Sequence, residues 1–285
     1  MFQKLFVILQ DIKIQHTVFA LPFAIMSAFL AAEGFPTWHQ LLWILVCMVG
    51  ARSAAMAFNR IADARFDAIN PRTQNRALPA GAVGKTAYWL FLLVSSAIFI
   101  FAAGQLNSLA LMLSPLALII VFFYSLTKRF TWASHLFLGL ALSVAPVGAW
   151  VAIREEISIL SLVLGAAVIF WLAGFDILYS CMDVDNDRKH NLYSVPKRFG
   201  VENALKLASG SHMIMVIFLL GLLVSPLLSW VYFAGVAAVA GLLWFEHSLV
   251  KKDDLSKVNV AFFNVNGLIS VVLMVIVIAD CVWIE

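Results

Sequence analysis

The chain has 285 residues, of which 63% are hydrophobic and only 12% are charged, and its mean hydropathy is +0.95. Soluble domains are about a quarter charged and about half apolar, so this composition excludes an ordinary soluble enzyme and indicates an integral membrane protein. The net charge of +3 is too small to suggest a nucleic-acid partner, and three widely spaced cysteines predict neither a disulfide framework nor a metal site.

Apolar segments without charged residues predict nine membrane-spanning helices. One crossing takes about 20 residues, so the segments 86–127 and 207–245 are each long enough for two. They break at residues 104–108 and at Ser225-Pro226, where the residues favour turns. Continuous apolar runs of this length are typical of helices and not of barrel strands. In chain order the predicted spans are 14–32, 34–51, two within 86–127, 130–153, 157–175, two within 207–245, and 258–279.

The distribution of basic residues predicts the orientation. Of the 19 Lys and Arg residues, Arg154 alone falls in the loops of one side and Arg52 alone lies within a predicted span. The positive-inside rule therefore predicts a multi-pass protein of the bacterial inner membrane, with the N-terminus in the cytoplasm and the C-terminus outside. We expect residues 1–285 to form one membrane domain, whose function depends on two polar cytoplasmic segments at about 59–85 and 176–206.

The first polar segment begins with a repeat of polar residues at every fourth position, Asn59, Asp63 and Asp67. On a helix this spacing places all three on one face, which we call the first acidic stripe. Like charges so placed repel one another, so the pattern needs a counter-charge. Hard oxygen ligands combined with a phosphate-bearing substrate are typical of Mg²⁺.

The second polar segment contains Asp176, Tyr179, Asp183 and Asp187, whose spacing of 3, 4 and 4 also places them on one helix face. We call this face the second acidic stripe, and Asp185 lies off it. Asp176 ends an apolar span, where an isolated carboxylate costs ~2.5–3.5 kcal/mol, so we expect it to face a polar cavity. Either stripe alone is also typical of a solvated helix end, but two matching stripes favour one shared site.

Basic residues next to the stripes predict a phosphate site. Arg72 and Arg76 follow the first stripe, and Tyr124 and Lys128 lie one turn apart at the end of the fourth predicted helix, with Arg129 beside them. Arginine and lysine are the usual protein partners of phosphate. The remaining basic residues of the cytoplasmic side are interpreted as orientation determinants, among them Arg60, Arg188, Lys189 and the lysines of 251–257.

Arg52 lies inside the second predicted helix, about two turns before Asn59 and on the same face. A buried arginine needs an anion or a hydrogen-bond acceptor. Asp176 or a carboxylate of a bound substrate would supply one, and the alternative is that the side chain extends to the interface.

Two long segments resemble the two signature motifs of the UbiA superfamily of intramembrane aromatic prenyltransferases. They are NRIADARFD with the following NPRTQNRALPAG, and DILYSCMDVDNDRKHNLYSVPKRFG. The YxxxKR pattern of residues 124–129 is also similar to that family, and the resemblance runs over nearly the whole chain. It implies an all-α membrane protein, with nine helices around a central apolar cavity under a cytoplasmic polar cap.

The resemblance also implies Mg²⁺-dependent transfer of a polyprenyl group from a polyprenyl diphosphate to an aromatic acceptor. Asp63, Asp67, Asp183 and Asp187 would be catalytic and, together with Asn59, would hold two Mg²⁺ ions. The implied substrate contacts are Arg72, Tyr124 and Lys128 for the diphosphate, Arg52 for the acceptor, and Asp176 and Tyr179 in the same polar wall.

Within the family, the chain resembles the 4-hydroxybenzoate polyprenyltransferases of respiratory quinone biosynthesis. Residues 15–23 are similar to the branch associated with the futalosine route to menaquinone, and His16 is either near the acceptor or a plain interfacial histidine. The shared motifs leave other acceptors open: a naphthoate of that route, dihydroxynaphthoate, homogentisate, haem or a phosphoribosyl acceptor. An ion-coupled transporter is the alternative of another class, but nearly all charge lies at cytoplasmic helix ends and no inverted repeat is evident.

Overall fold

The computed structural model describes residues 2–12 and 20–283, and this part of the chain is helical. The loops that join the helices at one end of the bundle are short. In chain order the helices are α1 (Phe2–Asp11), α2 (Leu21–Ala32), α3 (Trp38–Asp67), α4 (Lys85–Gly104), α5 (Ser108–Thr127), α6 (Ser134–Arg154), α7 (Ile159–Ser180), α8 (Val184–Lys189), α9 (Val195–Phe199), α10 (Val201–Gly221), α11 (Trp230–Leu249), α12 (Val258–Val260) and α13 (Asn266–Trp283).

Eight helical segments within the described residues are long and apolar enough to cross a membrane. They confirm the prediction of an all-helical, multi-pass membrane protein. The shorter apolar helix α2, of 12 residues, corresponds to the end of the first predicted span. The beginning of that span lies at residues 14–19, outside the described residues, and so does His16.

The helix breaks occur where turn-forming residues predict them. The segment 86–127 divides between α4 and α5 at residues 105–107, and the segment 207–245 divides around Ser225 and Pro226. At one end of the bundle, Ser, Thr or Asn side chains accept hydrogen bonds from the first turn of the helix and so satisfy free backbone N–H groups. These N-caps are Thr37, Asn107, Ser158 and Ser229, before α3, α5, α7 and α11.

Helix α3 is longer than its predicted span, because it continues from Trp38 through the first acidic stripe to Asp67. The polar loop that follows therefore begins at residue 68 and not at 59. The second stripe is interrupted: α7 ends at Ser180, residues 181–183 form a tight 3₁₀ turn, and α8 begins at Val184. Tight turns of this kind are frequent at helix ends.

Helix α7 is the most buried of the eight long apolar helices and carries the centre of the core. The Trp171 side chain is fully buried, and its ring lies 4.8 Å from the ring of Phe23 and 4.9 Å from that of Phe175. Its indole N–H donates to Asn266 Oδ1 at 2.7 Å, which ties α7 to α13. Because α7 is central, Asp176 and the rest of the second stripe lie at the middle of one end of the bundle.

Three of the exposed tryptophans lie at helix ends. Trp38, Trp230 and Trp283 are 84%, 76% and 77% exposed, and all three lie at the end of the bundle opposite to the acidic stripes. Tryptophan is enriched where a membrane protein meets the headgroup region. Arg154 lies at the same end, where it pairs with Glu33 and joins α6 to α2.

The closest approach of a glycine to the backbone of another helix gives a stability prediction. A Cβ at Gly139 of α6 would lie 2.4 Å from the carbonyl oxygen of Ile169 in α7, whereas a Cβ at Gly148 of the same helix meets nothing within 4 Å. We expect Gly139→Ala to lower the free energy of unfolding by about 1–3 kcal/mol, since α6 and α7 must separate. Gly148→Ala is the matched control and should be neutral or stabilising. Unfolding in detergent measures both, and equal stabilities would contradict the close contact.

Candidate active site

The two acidic stripes lie at the same end of the bundle, and Arg72 connects them. Its Nη1 donates to the Tyr179 hydroxyl oxygen and its Nη2 donates to Asp183 Oδ2, both at 2.5 Å. The guanidinium carbon also lies 5.0 Å from the centre of the Tyr179 ring. A residue that follows the first stripe thus binds two residues of the second, and the predicted convergence of the two segments is present in the structure.

The first stripe is held together by an amide and an arginine. Asn59 Nδ2 donates to Asp63 Oδ2 at 2.9 Å, and Arg129 Nη2 approaches Asp63 Oδ1 at 3.4 Å. Arg129 Nη2 also donates to the backbone oxygen of Ala62 at 2.8 Å, which fixes the end of α5 against α3. The repulsion expected between the stacked carboxylates is therefore offset by an amide of the same helix and by an arginine that follows α5.

Asp67 ends the first stripe and faces the loop that follows it. Both of its carboxylate oxygens accept from Arg76 Nη1, at 2.7 and 2.8 Å, and the side chain is only 9% exposed. Thr73 Oγ1 donates to the backbone oxygen of Asp67 at 3.1 Å. Asn70 Oδ1 accepts from the backbone N–H of Arg72 at 2.9 Å, a local turn that sets the position of Arg72.

The second stripe contains a buried carboxylate oxygen. Asp187 is 2% exposed, and its Oδ2 has no hydrogen-bond partner among the described residues. Leaving such a group unsatisfied costs about 1–3 kcal/mol or more when it is charged. This oxygen is therefore a natural position for a ligand that supplies positive charge.

Lys128 lies at the electrostatic centre of the site, directly after α5. Burial lowers the pKa of Lys128, but the carboxylates around it raise this pKa by more, so it lies above its usual value. The ammonium group therefore stays charged at neutral pH and offers a fixed positive charge between the two stripes. The carboxylates that act on it are Asp176, Asp187, Asp183 and Asp63.

Asp176 has a partner that the sequence did not indicate. His135 of α6 is 1% exposed, and its Nδ1 lies 2.6 Å from Asp176 Oδ2. The backbone N–H of Val195 donates to His135 Nε2 at 3.4 Å, so Nδ1 carries the proton and donates to the carboxylate. One histidine thus joins α6, α7 and α9, and it supplies the polar surroundings that we expected for Asp176.

Among residues 2–12 and 20–283, no group of three or more Asp, Glu, His and Cys side chains converges closely enough to hold a metal ion. Asp63, Asp67 and Asp183 each face an arginine instead. The donor set still fits Mg²⁺, which usually takes one or two carboxylates and completes its shell with water and substrate phosphate. The unpartnered oxygen of Asp187 is the observation that supports this fit.

A cavity of about 510 Å³ lies inside the bundle, between α3, α4, α5, α6 and α7. Its walls are almost entirely apolar, with Arg52 and Tyr124 among the few polar residues that line it. Arg52 lies on the same helix as Asn59, and Tyr124 precedes Ser125, whose hydroxyl accepts from Asn59 Nδ2 at 3.4 Å. The polar part of the cavity therefore adjoins the first stripe.

Sequence reasoning treated Arg60 as an orientation determinant, but the structure buries it. Arg60 is 3% exposed, and its Nε donates to Asp11 Oδ2 at 2.9 Å. Asp11 is the only acidic residue of α1, and this was the signal that could have indicated the partner. No feature of the sequence around His135 indicated that it would pair with Asp176.

A comparison with protein-family models matches residues 20–268 to the UbiA prenyltransferase family. The chain belongs to the UbiA prenyltransferase family. The match covers both acidic stripes, the loop with Arg72 and the end of α5. The family resemblance noted from the two motifs is confirmed.

Curated and solved UbiA relatives agree with this assignment. A protein of Aliivibrio fischeri named 4-hydroxybenzoate octaprenyltransferase is 32% identical over 242 residues, which are 84% of each chain. The apo structure of a UbiA homolog from Aeropyrum pernix K1 is 35% identical, covers 94% of this chain and 98% of its own, and has a TM-score of 0.84. Together they identify this UbiA protein as an aromatic prenyltransferase.

A UbiA homolog from Archaeoglobus fulgidus, bound to DMAPP and Mg²⁺, has the same fold. It is 20% identical, with a TM-score of 0.74, and the match covers 96% of this chain and 98% of that one.

The histidine of this UbiA site gives a prediction about stability. His135→Leu removes the donor to Asp176 and leaves a carboxylate unsatisfied beside an apolar span. We expect the free energy of unfolding to fall by about 2–3 kcal/mol, measured by urea titration in detergent. Glu202→Gln breaks the exposed pair with Lys206 and is the control, for which no measurable change is expected. Indistinguishable effects of the two variants would show that His135 does not support Asp176.

Proposed function

We propose that this protein transfers a polyprenyl group from a polyprenyl diphosphate to a 4-hydroxybenzoate-like aromatic acid, in a Mg²⁺-dependent step of respiratory quinone biosynthesis. The observation that carries the proposal is the junction of an apolar cavity with a cap of carboxylates, arginines and Lys128. Such a junction suits a substrate with a long apolar tail and a doubly charged head. The name of the A. fischeri relative and the ligands of the A. fulgidus homolog support the same reaction.

The cap is proposed to bind the diphosphate. Mg²⁺ held there would stabilise the negative charge that develops on the leaving diphosphate. Arg72 and Lys128 lie between the stripes and donate to the diphosphate oxygens, which adds to this stabilisation. Tyr124 and Tyr179 complete the polar wall. The residues proposed to hold two Mg²⁺ ions are Asn59, Asp63, Asp67, Asp183 and Asp187.

The cavity is proposed to hold the isoprenoid tail next to the bond that breaks. Loss of the diphosphate leaves an allylic carbocation, which water would capture if it entered, and apolar walls exclude water from the reacting carbon. Leu116, Leu140 and Leu162 line the cavity and are 52%, 39% and 53% exposed on the outside of the bundle. The tail therefore enters from the bilayer through the side of the protein, and a chain longer than the cavity extends back into lipid.

The acceptor is proposed to bind at the polar end of the cavity. The Arg52 guanidinium suits the carboxylate of an aromatic acid, because charge-assisted pairs of this kind fix orientation as well as affinity. The electron-rich ring then attacks the allylic carbon, a new carbon–carbon bond forms, and the ring loses a proton. Naphthoate, dihydroxynaphthoate and haem acceptors remain outcomes of the same assay.

We infer that the acidic end of the bundle faces the cytoplasm of a bacterial cell and that the chain crosses the inner membrane nine times as one domain. Arg72, Lys128 and most other basic residues lie at that end, as the positive-inside rule requires. The exposed tryptophans of the opposite end support a second membrane interface there. The diphosphate and the aromatic acid would then both come from the cytoplasmic side.

The metal assignment predicts the effect of removing single carboxylates. Asp63→Ala and Asp183→Ala should each lower prenyl transfer by about 100-fold or more, because each removes charge stabilisation at the leaving group. Asp185→Ala is the matched control, since this neighbouring side chain is 90% exposed and lies off the stripe. The assay uses purified protein in detergent with Mg²⁺, a polyprenyl diphosphate and a panel of aromatic acids.

The outcomes of this assay are distinct. Mg²⁺-dependent product that is lost in both stripe variants and kept in Asp185→Ala supports the reaction, and the acid that is accepted identifies the pathway. Product unaffected by either stripe variant would overturn the assignment of the metal site. Ion flux into liposomes that depends on neither carboxylate, without any product, would favour transport instead.

The acceptor assignment predicts a change in specificity at Arg52. Arg52→Gln should lower kcat/KM for 4-hydroxybenzoate by about 10- to 100-fold, because a hydrogen bond to a charged group contributes about 1.5–3 kcal/mol. The neutral amide of the same acid has no carboxylate that Arg52 could bind, so its kcat/KM should change little. The KM for the diphosphate should stay constant. Equal losses for acid and amide would show that Arg52 does not bind the acceptor carboxylate.

A further inference from the structure

Helix α1 is fixed to the polar cap through one carboxylate. Asp11 Oδ2 accepts from Arg60 Nε at 2.9 Å and from the Tyr88 hydroxyl at 2.6 Å, and Oδ1 accepts from the backbone N–H of Ala77 at 3.0 Å. The backbone oxygen of Asp11 accepts from Arg60 Nη2 at 2.7 Å. Burial raises the pKa of Asp11, but these donors lower it by more, so the side chain is ionised at neutral pH.

The contact continues from Arg60 to the first acidic stripe. Arg60 Nη1 donates to Asn59 Oδ1 at 3.3 Å, which leaves the amide nitrogen of Asn59 to donate to Asp63 at 2.9 Å. The side chains of Arg60 and Asp11 are 4% and 8% exposed. Their mutual orientation is therefore set by protein contacts and not by solvent.

We propose that Asp11 and Arg60 form a positioning pair for the metal–diphosphate site, in which Asp11 holds the Arg60 guanidinium on Asn59 and away from the carboxylates of the first stripe. The inference rests on the proposed function, because it assumes that these carboxylates receive Mg²⁺. Neither residue touches substrate in this account. Each acts through Asn59.

The physical reason is competition between two cations for one carboxylate. Asp63 is three positions after Arg60, so the two side chains are neighbours on the surface of α3. A buried arginine without Asp11 would still need an anion, and Asp63 is within reach. An Arg60–Asp63 pair would occupy the oxygens that we assign to Mg²⁺. Asp11 prevents this by neutralising Arg60 from the other side.

The test is calorimetric binding of geranyl diphosphate at increasing Mg²⁺ concentration, without any aromatic acid. Asp11→Asn should need about 10-fold more Mg²⁺ for half-maximal binding, as is typical when a group that supports a metal ligand is lost. Tyr88→Phe is the matched control, because it removes another hydrogen bond to the same carboxylate without freeing Arg60, and it should bind like the wild type.

The double variant Asp11→Asn with Arg60→Gln separates positioning from general stability. Since the freed guanidinium is absent, its Mg²⁺ requirement should lie closer to the wild type than that of Asp11→Asn alone. A merely structural role predicts the opposite, a double variant at least as impaired as the single one. Should Asp11→Asn not fold, Arg60→Lys replaces it, because one ammonium cannot keep both hydrogen bonds that the guanidinium makes to Asp11. The ammonium is then freer to pair with Asp63, and the Mg²⁺ requirement should rise.

Two results would overturn the inference. One is an unchanged Mg²⁺ requirement in Asp11→Asn, or in Arg60→Lys where that variant is used, and the other is a double variant no better than Asp11→Asn. A wild-type protein that does not bind geranyl diphosphate with Mg²⁺ would instead overturn the proposed function itself. An error in the identity of the aromatic acceptor changes none of these measurements, since no acceptor is present.

Discussion

Carboxylates at the ends of apolar helices need positive partners, and the polar cap of this protein is organised by that requirement. Two of these carboxylates, Asp63 and Asp67, lie on α3, and a third, Asp183, lies directly after α7. Each of the three pairs with an arginine from a different part of the chain. These pairs bring the loop after α3 over the end of α7 and bring the end of α5 against α3. The cap is therefore an assembly of charge pairs placed on a helical bundle.

The proposed reaction assigns the bundle and the cap to different parts of one substrate. The buried core around Trp171 keeps α7 central, and the adjoining cavity offers apolar walls next to Arg52 and Tyr124. An isoprenoid tail has no polar group that could bind the charged cap, and a diphosphate has no hydrogen-bond partner on the apolar walls of the cavity. In the proposed reaction the bond that breaks would lie where the two chemistries meet, so the allylic carbocation would form at the boundary between fixed charge and excluded water.

The elements that could be predicted from the sequence were those that depend on local spacing. The repeat of Asn59, Asp63 and Asp67 indicated one helix face, and turn residues correctly placed the breaks near residues 105 and 225. The length of α3 was underestimated because charged residues were taken to end a span, whereas this helix continues beyond its apolar part.

Other features depend on pairs that are distant in the chain. His135 meets Asp176 only because α6 packs along α7, and Arg60 meets Asp11 only because α1 folds back onto α3. No spacing within either segment encodes such a contact. A sequence can therefore show which residues carry charge at a site, while the partners that orient them follow from helix packing.

The most direct test of the account is a crystal structure with Mn²⁺ and geranyl diphosphate, in which anomalous scattering locates the metal. The account predicts metal peaks between the two acidic stripes, within coordination distance of carboxylate oxygens of Asp63 and Asp183, with the diphosphate next to Arg72 and Lys128. Metal and diphosphate bound elsewhere, with the arginine–carboxylate pairs of the cap intact, would contradict it.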